Sequence, residues 1–192
     1  MSSIIRPAVD KPLRVLFLCT GNSARSQIGE AVLARKGKGS FIAGSAGSHP
    51  AAEVNPLTVQ VLREFGIDWS GRAPKGIDAV LGDPWDFVIT VCDNAREACP
   101  TFPGQPIFAH WGLPDPAAVE GSYEARLKAF RDTVHYTTRR IDLMLALPFA
   151  SLERRAIELR LRAIPIEAHA TKGAEAGISS MPGASAPATG LI

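Results

Sequence analysis

The sequence predicts an α/β fold in which a parallel sheet of four strands carries helices on both faces. Short apolar runs alternate along the chain with longer segments whose apolar residues repeat at helical spacing. Such runs are typical of strands buried on both faces, and the alternation is typical of strands joined by crossover helices. The length of 192 residues and the apolar fraction of 46% suffice for one domain with a proper core.

The first half of the chain predicts two strands and two helices. Residues 15–18 form a compact apolar strand, and residues 22–36 form a helix in which Ile28, Ala31 and Val32 share one face. A second short strand is predicted at 41–44. The helix predicted at 56–65 has one apolar stripe and ends at Gly66, since glycine is common just after helices.

The second half also predicts two strands and two helices. Residues 86–91 are the clearest further strand, and residues 106–109 form a shorter one. Apolar residues at intervals of three, four and seven predict a long amphipathic helix at 123–146. Ser151 is a suitable N-cap for an extra helix at 151–162, whose four arginines favour an exposed helix on the domain edge over a docking role.

These elements divide the chain into four parts. Residues 1–12 are predicted as a flexible leader and residues 13–147 as the folded domain. Residues 148–171 are predicted as a helical C-terminal extension. Residues 172–192 are dominated by Gly, Ala, Ser and Pro and carry too few large apolar groups to fold alone, which predicts a flexible tail.

Charge and composition argue against several classes of function. A net charge of +2 gives no reason to expect nucleic acid or an anionic membrane as a partner. No apolar run approaches the roughly 18 residues of a membrane span, and the N-terminus lacks the features of a signal peptide, so a cytoplasmic location is expected. The three cysteines form no Cys-x-x-Cys pair and no histidine has ligand spacing, so we expect no metal and no cofactor.

The segment that joins the first strand to the first helix predicts a nucleophile facing a tetrahedral oxyanion. It begins at Cys19, and the predicted anion-binding residues are Thr20, Gly21, Asn22, Ser23, Ala24, Arg25 and Ser26. Successive backbone N–H groups can surround the anion, Gly21 permits close approach, and Arg25 can add a bidentate pair. The helix N-terminus and Arg25 are expected to lower the pKa of the Cys19 thiol from about 8.5 into the range of about 3.5–7.5. The Ser26 hydroxyl is a further donor to the thiolate.

This loop resembles the signature loop of the low-molecular-weight protein tyrosine phosphatase superfamily, which includes the thioredoxin-coupled arsenate reductases. The resemblance extends from about Arg14 to Leu145 and implies the three-layer, flavodoxin-like sandwich of that superfamily. Asp115-Pro116 matches a late Asp-Pro dipeptide of the family, which implies that Asp115 is the general acid that protonates the departing oxygen. A carboxyl beside an anion holds its proton more readily, which agrees with that role.

Two further cysteines separate a reductase from a phosphatase within this superfamily. Cys99 follows Cys92 by seven residues, or about two helical turns, which allows both thiols to lie on one helix face. They are then roughly 10 Å apart, so a disulfide between them requires the segment to unwind. Ala117 follows Asp115-Pro116, where tyrosine phosphatases of this family usually have an aromatic residue. The cysteine pair favours a reductase, and Ala117 favours a small inorganic oxyanion over an aryl ester.

The pair resembles the resolving cysteines of thioredoxin-coupled arsenate reductases, which implies a three-cysteine relay for arsenic detoxification. Cys19 attacks arsenate to form a thiol-arsenate adduct, and Cys92 then attacks Cys19 and releases arsenite. Cys99 attacks Cys92 and leaves a disulfide between Cys92 and Cys99. Thioredoxin is the favoured reductant, with glutaredoxin as the other donor. Two alternatives stay open: a protein tyrosine phosphatase with a phosphoenzyme on Cys19, and a non-catalytic module for oxyanion binding or redox sensing.

Some relatives hold a potassium ion beside the signature loop. Three of its usual ligand positions are matched by Asn22, Glu30 and Ser45. The fourth, usually an aspartate, is Lys75 or a close neighbour in this chain. We therefore hypothesise that the Lys75 ammonium takes the place of the cation and holds Asn22 through Glu30.

Overall fold

The computed structural model describes residues 11–97 and 99–176 of the chain. The strands are β1 (Leu13–Cys19), β2 (Phe41–Gly47), β3 (Phe87–Thr90) and β4 (Ile107–His110). The helices are α1 (Arg25–Lys36), α2 (Pro56–Glu64), α3 (Asp93–Glu97), α4 (Tyr123–Leu145) and α5 (Arg154–Ala176). The four strands form one parallel sheet in the order β2-β1-β3-β4. The predicted α/β class with a central four-stranded parallel sheet is confirmed.

Strand β1 lies at the centre of the core, because it pairs with β2 on one side and with β3 on the other. Its residues from Val15 to Cys19 are at most 3% exposed. Helix α1 packs so closely on β1 that a Cβ added at Gly29 would lie 2.7 Å from the Phe17 ring. This close approach fixes α1, and with it the loop before α1, against the carboxyl end of β1.

The carboxyl ends of the parallel strands bring three loops to one edge of the sheet. Leu18 pairs with Thr90, and Thr90 pairs with His110, so the loops after β1, β3 and β4 start side by side. The chain order reverses between β1 and β3. Ligands of open parallel sheets bind beyond the carboxyl ends of the strands at such a reversal, so this edge is the expected site.

Helix α5 packs against α4 and against the outer strand β4. Ile157, Leu161 and Ile164 of this helix are fully buried. The helix continues through Pro165, which has no N–H to donate to the Leu161 carbonyl four residues earlier. The Trp111 indole N–H donates to that carbonyl at 3.0 Å, so the main domain satisfies the acceptor that the proline leaves open.

Two helices at the loop edge differ from their predicted bounds. Helix α1 begins at Arg25 rather than at residue 22, because Asn22 has a left-handed backbone with a φ of 46°, which no right-handed helix contains. Helix α3 covers only Asp93–Glu97 and not the two turns predicted between Cys92 and Cys99. Helix α3 ends at Glu97, and Cys99 lies outside it.

The C-terminal extension is longer than predicted. Helix α5 starts three residues after the predicted 151 and runs to Ala176, past the predicted end of the helix at 162 and into the predicted tail. Residues 177–192 of that tail and residues 1–10 of the predicted leader lie outside the described residues. The predictions of flexibility at both ends therefore stay predictions.

Candidate active site

Most of the predicted site lines one cavity of about 600 Å³ at the carboxyl end of β1. The loops after β1, β3 and β4 each form part of its wall. The predicted residues that line it are Cys19, Thr20, Gly21, Ser23, Ala24, Arg25, Cys92, Asp115 and Ala117. The fold thus brings the predicted nucleophile, the arginine, the acid and one further thiol to the same place.

Asn22 and Ser26, the other residues of the predicted anion loop, lie beneath the cavity and support the sulfur. The Asn22 N–H donates to Cys19 Sγ at 3.1 Å. The Asn22 amide Nδ2 donates to Ser26 Oγ at 2.8 Å, which leaves the hydroxyl proton of Ser26 to point at Cys19 Sγ, 2.9 Å away. Ser26 is thus placed to donate to the sulfur.

The Asn22 side chain uses all of its hydrogen-bonding positions. Its Nδ2 also donates to Ser45 Oγ at 2.9 Å, and its Oδ1 accepts from the Lys75 backbone N–H at 2.7 Å and from Gln27 Nε2 at 3.2 Å. A positive φ outside glycine is uncommon and costs free energy, so these bonds are what hold the left-handed turn. The loop around Cys19 is therefore preorganised by the chain itself.

Burial raises the pKa of the Cys19 thiol, and this outweighs the hydrogen bonds from Ser26 and Asn22 and the charge of Arg25, which lower it. The predicted lowering of this pKa is therefore wrong. Desolvation disfavours the thiolate, and the thiol is only 3% exposed. The charge of Arg25 is the smallest of the contributions that lower this pKa.

Arg25 is paired with Asp115. One terminal nitrogen of its guanidinium donates to Asp115 Oδ2 at 2.7 Å, and the other donates to the Leu113 carbonyl at 3.2 Å. The other carboxylate oxygen of Asp115 accepts from the Ala117 N–H at 3.0 Å and so caps the 3-10 turn Pro116–Ala118. The carboxylate therefore offsets much of the positive charge that Arg25 brings to the cavity.

An Asp115→Asn variant is expected to lower the pKa of the Cys19 thiol. The substitution removes a negative charge from the cavity and frees the Arg25 guanidinium, and both changes favour the thiolate. The pH dependence of alkylation by iodoacetamide, followed by mass spectrometry of the peptide that contains Cys19, should therefore shift to lower pH. Glu120→Gln removes the same charge outside the cavity and is the control. Identical profiles in the two variants would show that Asp115 does not restrain Arg25.

Cys92 and Cys99 open into different cavities, so the two thiols do not share one helix face, although their spacing would allow it. Cys92 is buried in the wall of the Cys19 cavity, where its sulfur is 3.4 Å from Thr20 Oγ1. Cys99 is half-buried and lines a second cavity of about 380 Å³. Helix α3 stands between the two thiols in the chain, and all three cysteines are free. A disulfide between Cys92 and Cys99 therefore requires α3 to rearrange.

A chain of polar contacts connects Asn22 to Lys75 through Ser45 and Glu30. The Ser45 hydroxyl donates to Glu30 Oε2 at 2.5 Å, and the Lys75 ammonium lies 3.4 Å from the same oxygen. The Glu30 side chain is only 8% exposed, and a buried carboxylate needs a nearby cation, which Lys75 supplies. Glu30 Oε2 thus has two partners, the Ser45 hydroxyl and the Lys75 ammonium.

Gln27 is a supporting residue that no sequence motif indicates. It is 1% exposed, and its Nε2 donates to the Asn22 carbonyl at 3.1 Å. The Trp69 indole N–H donates to Gln27 Oε1 at 2.7 Å and fixes the orientation of the amide. The sequence gives only a weak indication of this role, because Gln27 is a polar residue in the first turn of α1 at a position that faces the core.

His110 is a second supporting residue that no sequence motif indicates. It lines the Cys99 cavity and contacts Asp93, which lines the Cys19 cavity. Its Nδ1 lies 2.8 Å from Thr90 Oγ1, and its Nε2 lies 3.2 Å from Asp93 Oδ1, at the first residue of α3. Burial and the charge of Arg96 hold the pKa of His110 below its usual value. A neutral imidazole with its proton on Nε2 then donates to Asp93 and accepts from the Thr90 hydroxyl.

Residues 11–97 and 99–176 contain no candidate for a membrane span or a metal centre. No helix there is long and apolar enough to cross a membrane. No group of three or more His, Cys, Asp and Glu side chains there is placed to hold a metal ion.

Comparison of the sequence with known proteins identifies close relatives. The arsenate reductase of Halalkalibacterium halodurans is 39% identical over 117 residues, which cover 61% of this chain and 84% of the relative. The arsenate reductase of Bacillus subtilis is 36% identical over 117 residues, with the same coverage of 61% and 84%. The sequence profile of the low molecular weight phosphotyrosine protein phosphatase family matches residues 14–156.

Solved structures agree with the sequence relatives. An arsenate reductase in the oxidized state has a TM-score of 0.58 and 29% identity, over 67% of this chain and 93% of that chain. The thioredoxin-dependent arsenate reductase of Corynebacterium glutamicum has a TM-score of 0.51 and 31% identity, over 71% of this chain and 65% of that chain. The resemblance in the signature loop is confirmed, and the chain belongs to the low-molecular-weight phosphotyrosine protein phosphatase family.

Proposed function

We propose that the chain is an arsenate reductase that delivers electrons to arsenate through Cys19, Cys92 and Cys99. The observation that carries the proposal is the position of Cys92, whose thiol lies in the wall of the cavity around the Cys19 sulfur. A hydrolytic phosphatase needs no second thiol beside the anion, whereas a reductase needs one to break the bond between sulfur and arsenic. The relatives named above, which are arsenate reductases, support the same function.

In the first step the Cys19 thiolate attacks arsenic. Because burial raises the pKa of this thiol, the donors at its sulfur, Asn22 and Ser26, are what favour the thiolate. Arg25 and the loop N–H groups hold the remaining oxygens, and Asp115, displaced from Arg25 by the anion, takes up a proton and passes it to the oxygen that leaves as water. Ala117 offers no aromatic surface for an aryl ester, which favours a small inorganic oxyanion.

The later steps are thiol–disulfide exchange. The Cys92 thiolate attacks the Cys19 sulfur, the bond from sulfur to arsenic breaks, and its electron pair leaves with arsenic as arsenite. Cys99 then attacks the Cys92 sulfur, which frees the Cys19 thiolate and leaves a disulfide between Cys92 and Cys99. An external dithiol returns the two electrons.

Thioredoxin is the proposed external dithiol, because the disulfide that ends the relay lies within the chain. The thioredoxin-dependent relative supports this choice. A reducing cytoplasm is the compartment in which such thiols persist, so the proposal includes that location. It includes no metal or cofactor, and neither nucleic acid nor a membrane as partner.

Lys75 is proposed to replace a bound cation beside the loop. Its contact with Glu30, at 3.4 Å, puts a positive charge at the end of the polar chain from Asn22. An affinity for oxyanions that depends strongly on potassium would contradict this role.

The function is tested with arsenate and one reductant system at a time. Thioredoxin, thioredoxin reductase and NADPH should support sustained arsenite formation, whereas glutathione with glutaredoxin should support little. Sustained arsenite with glutathione and glutaredoxin alone would contradict the thioredoxin coupling and leave the reductase activity in place.

The phosphatase alternative has a different signature. It requires hydrolysis of p-nitrophenyl phosphate that survives replacement of Cys92 and Cys99 by serine, with no arsenite from either reductant system. Absence of both activities would favour a non-catalytic oxyanion or redox module.

A further inference from the structure

Cys99 opens into a cavity that is separate from the one around Cys19. The second cavity has a volume of about 380 Å³ and is lined by groups from β3, β4, the α3 segment and α5. Its volume is that of a small-molecule site rather than of a protein interface. The half-buried Cys99 thiol lines it, and Phe108 and Ala109 supply apolar surface.

The polar groups of this second cavity are cationic. Arg96 and Arg162 line it together with His110, and no carboxylate among the described residues lines it. Two acids lie nearby. Asp93 is 3.7 Å from the Arg96 guanidinium and 3.2 Å from His110, and Glu158 is 2.6 Å from the Arg162 guanidinium.

Both arginines are free to exchange these acids for a ligand. Their side chains are 55% and 58% exposed, and exposed ion pairs three or four residues apart on a helix contribute little to stability. A ligand carboxylate can form a bidentate pair with a guanidinium and replace such a contact at small cost. Two arginines on different elements can therefore hold a ligand that carries more than one carboxylate.

Arg162 comes from outside the region that the family shares. The family profile ends at residue 156, whereas Arg162 lies on α5. Its Nε donates to the Phe108 carbonyl at 3.4 Å, which places the guanidinium against β4. The C-terminal extension thus supplies one of the two charged groups of the second cavity.

We propose that the second cavity binds a small peptide thiol that carries free carboxylates, and that Cys99 forms a mixed disulfide with the oxidised form of this ligand. The Cys99 thiolate attacks one sulfur of the ligand disulfide, and the bond between the two ligand sulfurs breaks. One half of the ligand stays on Cys99 and the other half leaves as a thiolate, while the Cys99 proton goes to water. The proposal goes beyond the arsenate reductase activity and does not depend on it.

The test uses the full chain with Cys19 and Cys92 replaced by serine, so that Cys99 is the only thiol. The probes are glutathione disulfide, which carries carboxylates, and bis(2-hydroxyethyl) disulfide, which carries none. In this background Arg96→Gln and Arg162→Gln should each slow the reaction with glutathione disulfide by about tenfold. The reaction with the uncharged disulfide should stay unchanged. Mass spectrometry of the adduct gives both rates.

Arg160→Gln is the matched control, because it removes the same charge from an exposed position of α5 outside the second cavity. It should change neither rate. Equal slowing of both probes by Arg96→Gln or Arg162→Gln, no slowing at all, or equal effects of Arg160→Gln and Arg162→Gln would overturn the proposal. Because Arg96 and Arg162 lie on different elements, a folding defect in one variant leaves the other to decide.

Discussion

Arg25→Lys is expected to lower kcat/KM for arsenate by at least about a hundredfold. The Arg25 side chain is 13% exposed, and its two terminal nitrogens already donate to separate acceptors in the cavity wall. A lysine ammonium keeps the charge but cannot present two parallel donors to an oxyanion. The loss should appear in both kcat and KM, because in the proposed reaction the guanidinium holds the anion before and during the attack by Cys19.

Arg35→Lys is the control, because it makes the same change on the same helix. Arg35 donates to the Phe65 carbonyl at 2.9 Å and to the Gly66 carbonyl at 2.5 Å, outside the cavity. Its kcat/KM for arsenate should not change. Initial rates of arsenite formation, the Kd for sulfate as an unreactive anion and the Tm of both variants make the comparison. Equal kcat/KM values in the two variants would remove Arg25 from the anion site.

The sequence predicts those parts of the site that lie in one continuous segment or that follow from the topology of a parallel sheet. Cys19 and Arg25 lie in a strand, loop and helix that follow each other directly, so their proximity follows from local geometry. Cys92 and Asp115 follow later strands, and the parallel sheet brings the ends of those strands to one edge. Hydrophobic periodicity and sheet topology are therefore sufficient to predict that these four residues meet in one cavity.

The unpredictable part depends on contacts between distant segments. Residues 45–47 lack the β-branched and aromatic residues typical of strands, yet Gly47 pairs with Cys19 as the last residue of β2. The pairing needs a glycine, because a Cβ there would lie 2.5 Å from the Thr20 carbonyl oxygen. Pro165 likewise indicates, from the sequence alone, that the helix ends there. The helix continues because the Trp111 indole N–H satisfies the Leu161 carbonyl that the proline leaves open. Neither requirement is visible in the local sequence.

Cys99→Ser is expected to form one equivalent of arsenite and then stop, with thioredoxin as the only reductant. Cys92 lines the Cys19 cavity. In the proposed relay it supplies the thiol that releases arsenite, whereas Cys99, which lines the other cavity, is needed only afterwards, to free Cys19. Cys19 is 3% exposed and Cys92 6% exposed, so a disulfide between them offers thioredoxin almost no surface to attack. Rapid-quench measurement of arsenite per protein should show the single turnover. Peptide mapping without reduction should show the disulfide between Cys19 and Cys92.

Cys92→Ser is the matched variant, and it should release no arsenite in the same assay because the cavity then holds no thiol to attack Cys19. Dithiothreitol should restore turnover to Cys99→Ser, because it is small enough to enter a cavity of about 600 Å³ and reduce the disulfide there. Recovery of turnover with dithiothreitol would show that Cys99→Ser had stopped at a trapped disulfide and had not misfolded. Steady-state reduction of arsenate by Cys99→Ser at the rate of the unmodified protein, with thioredoxin alone, would contradict the relay. Cys99 would then have no part in arsenate reduction, and only the role in its own cavity would remain to be tested.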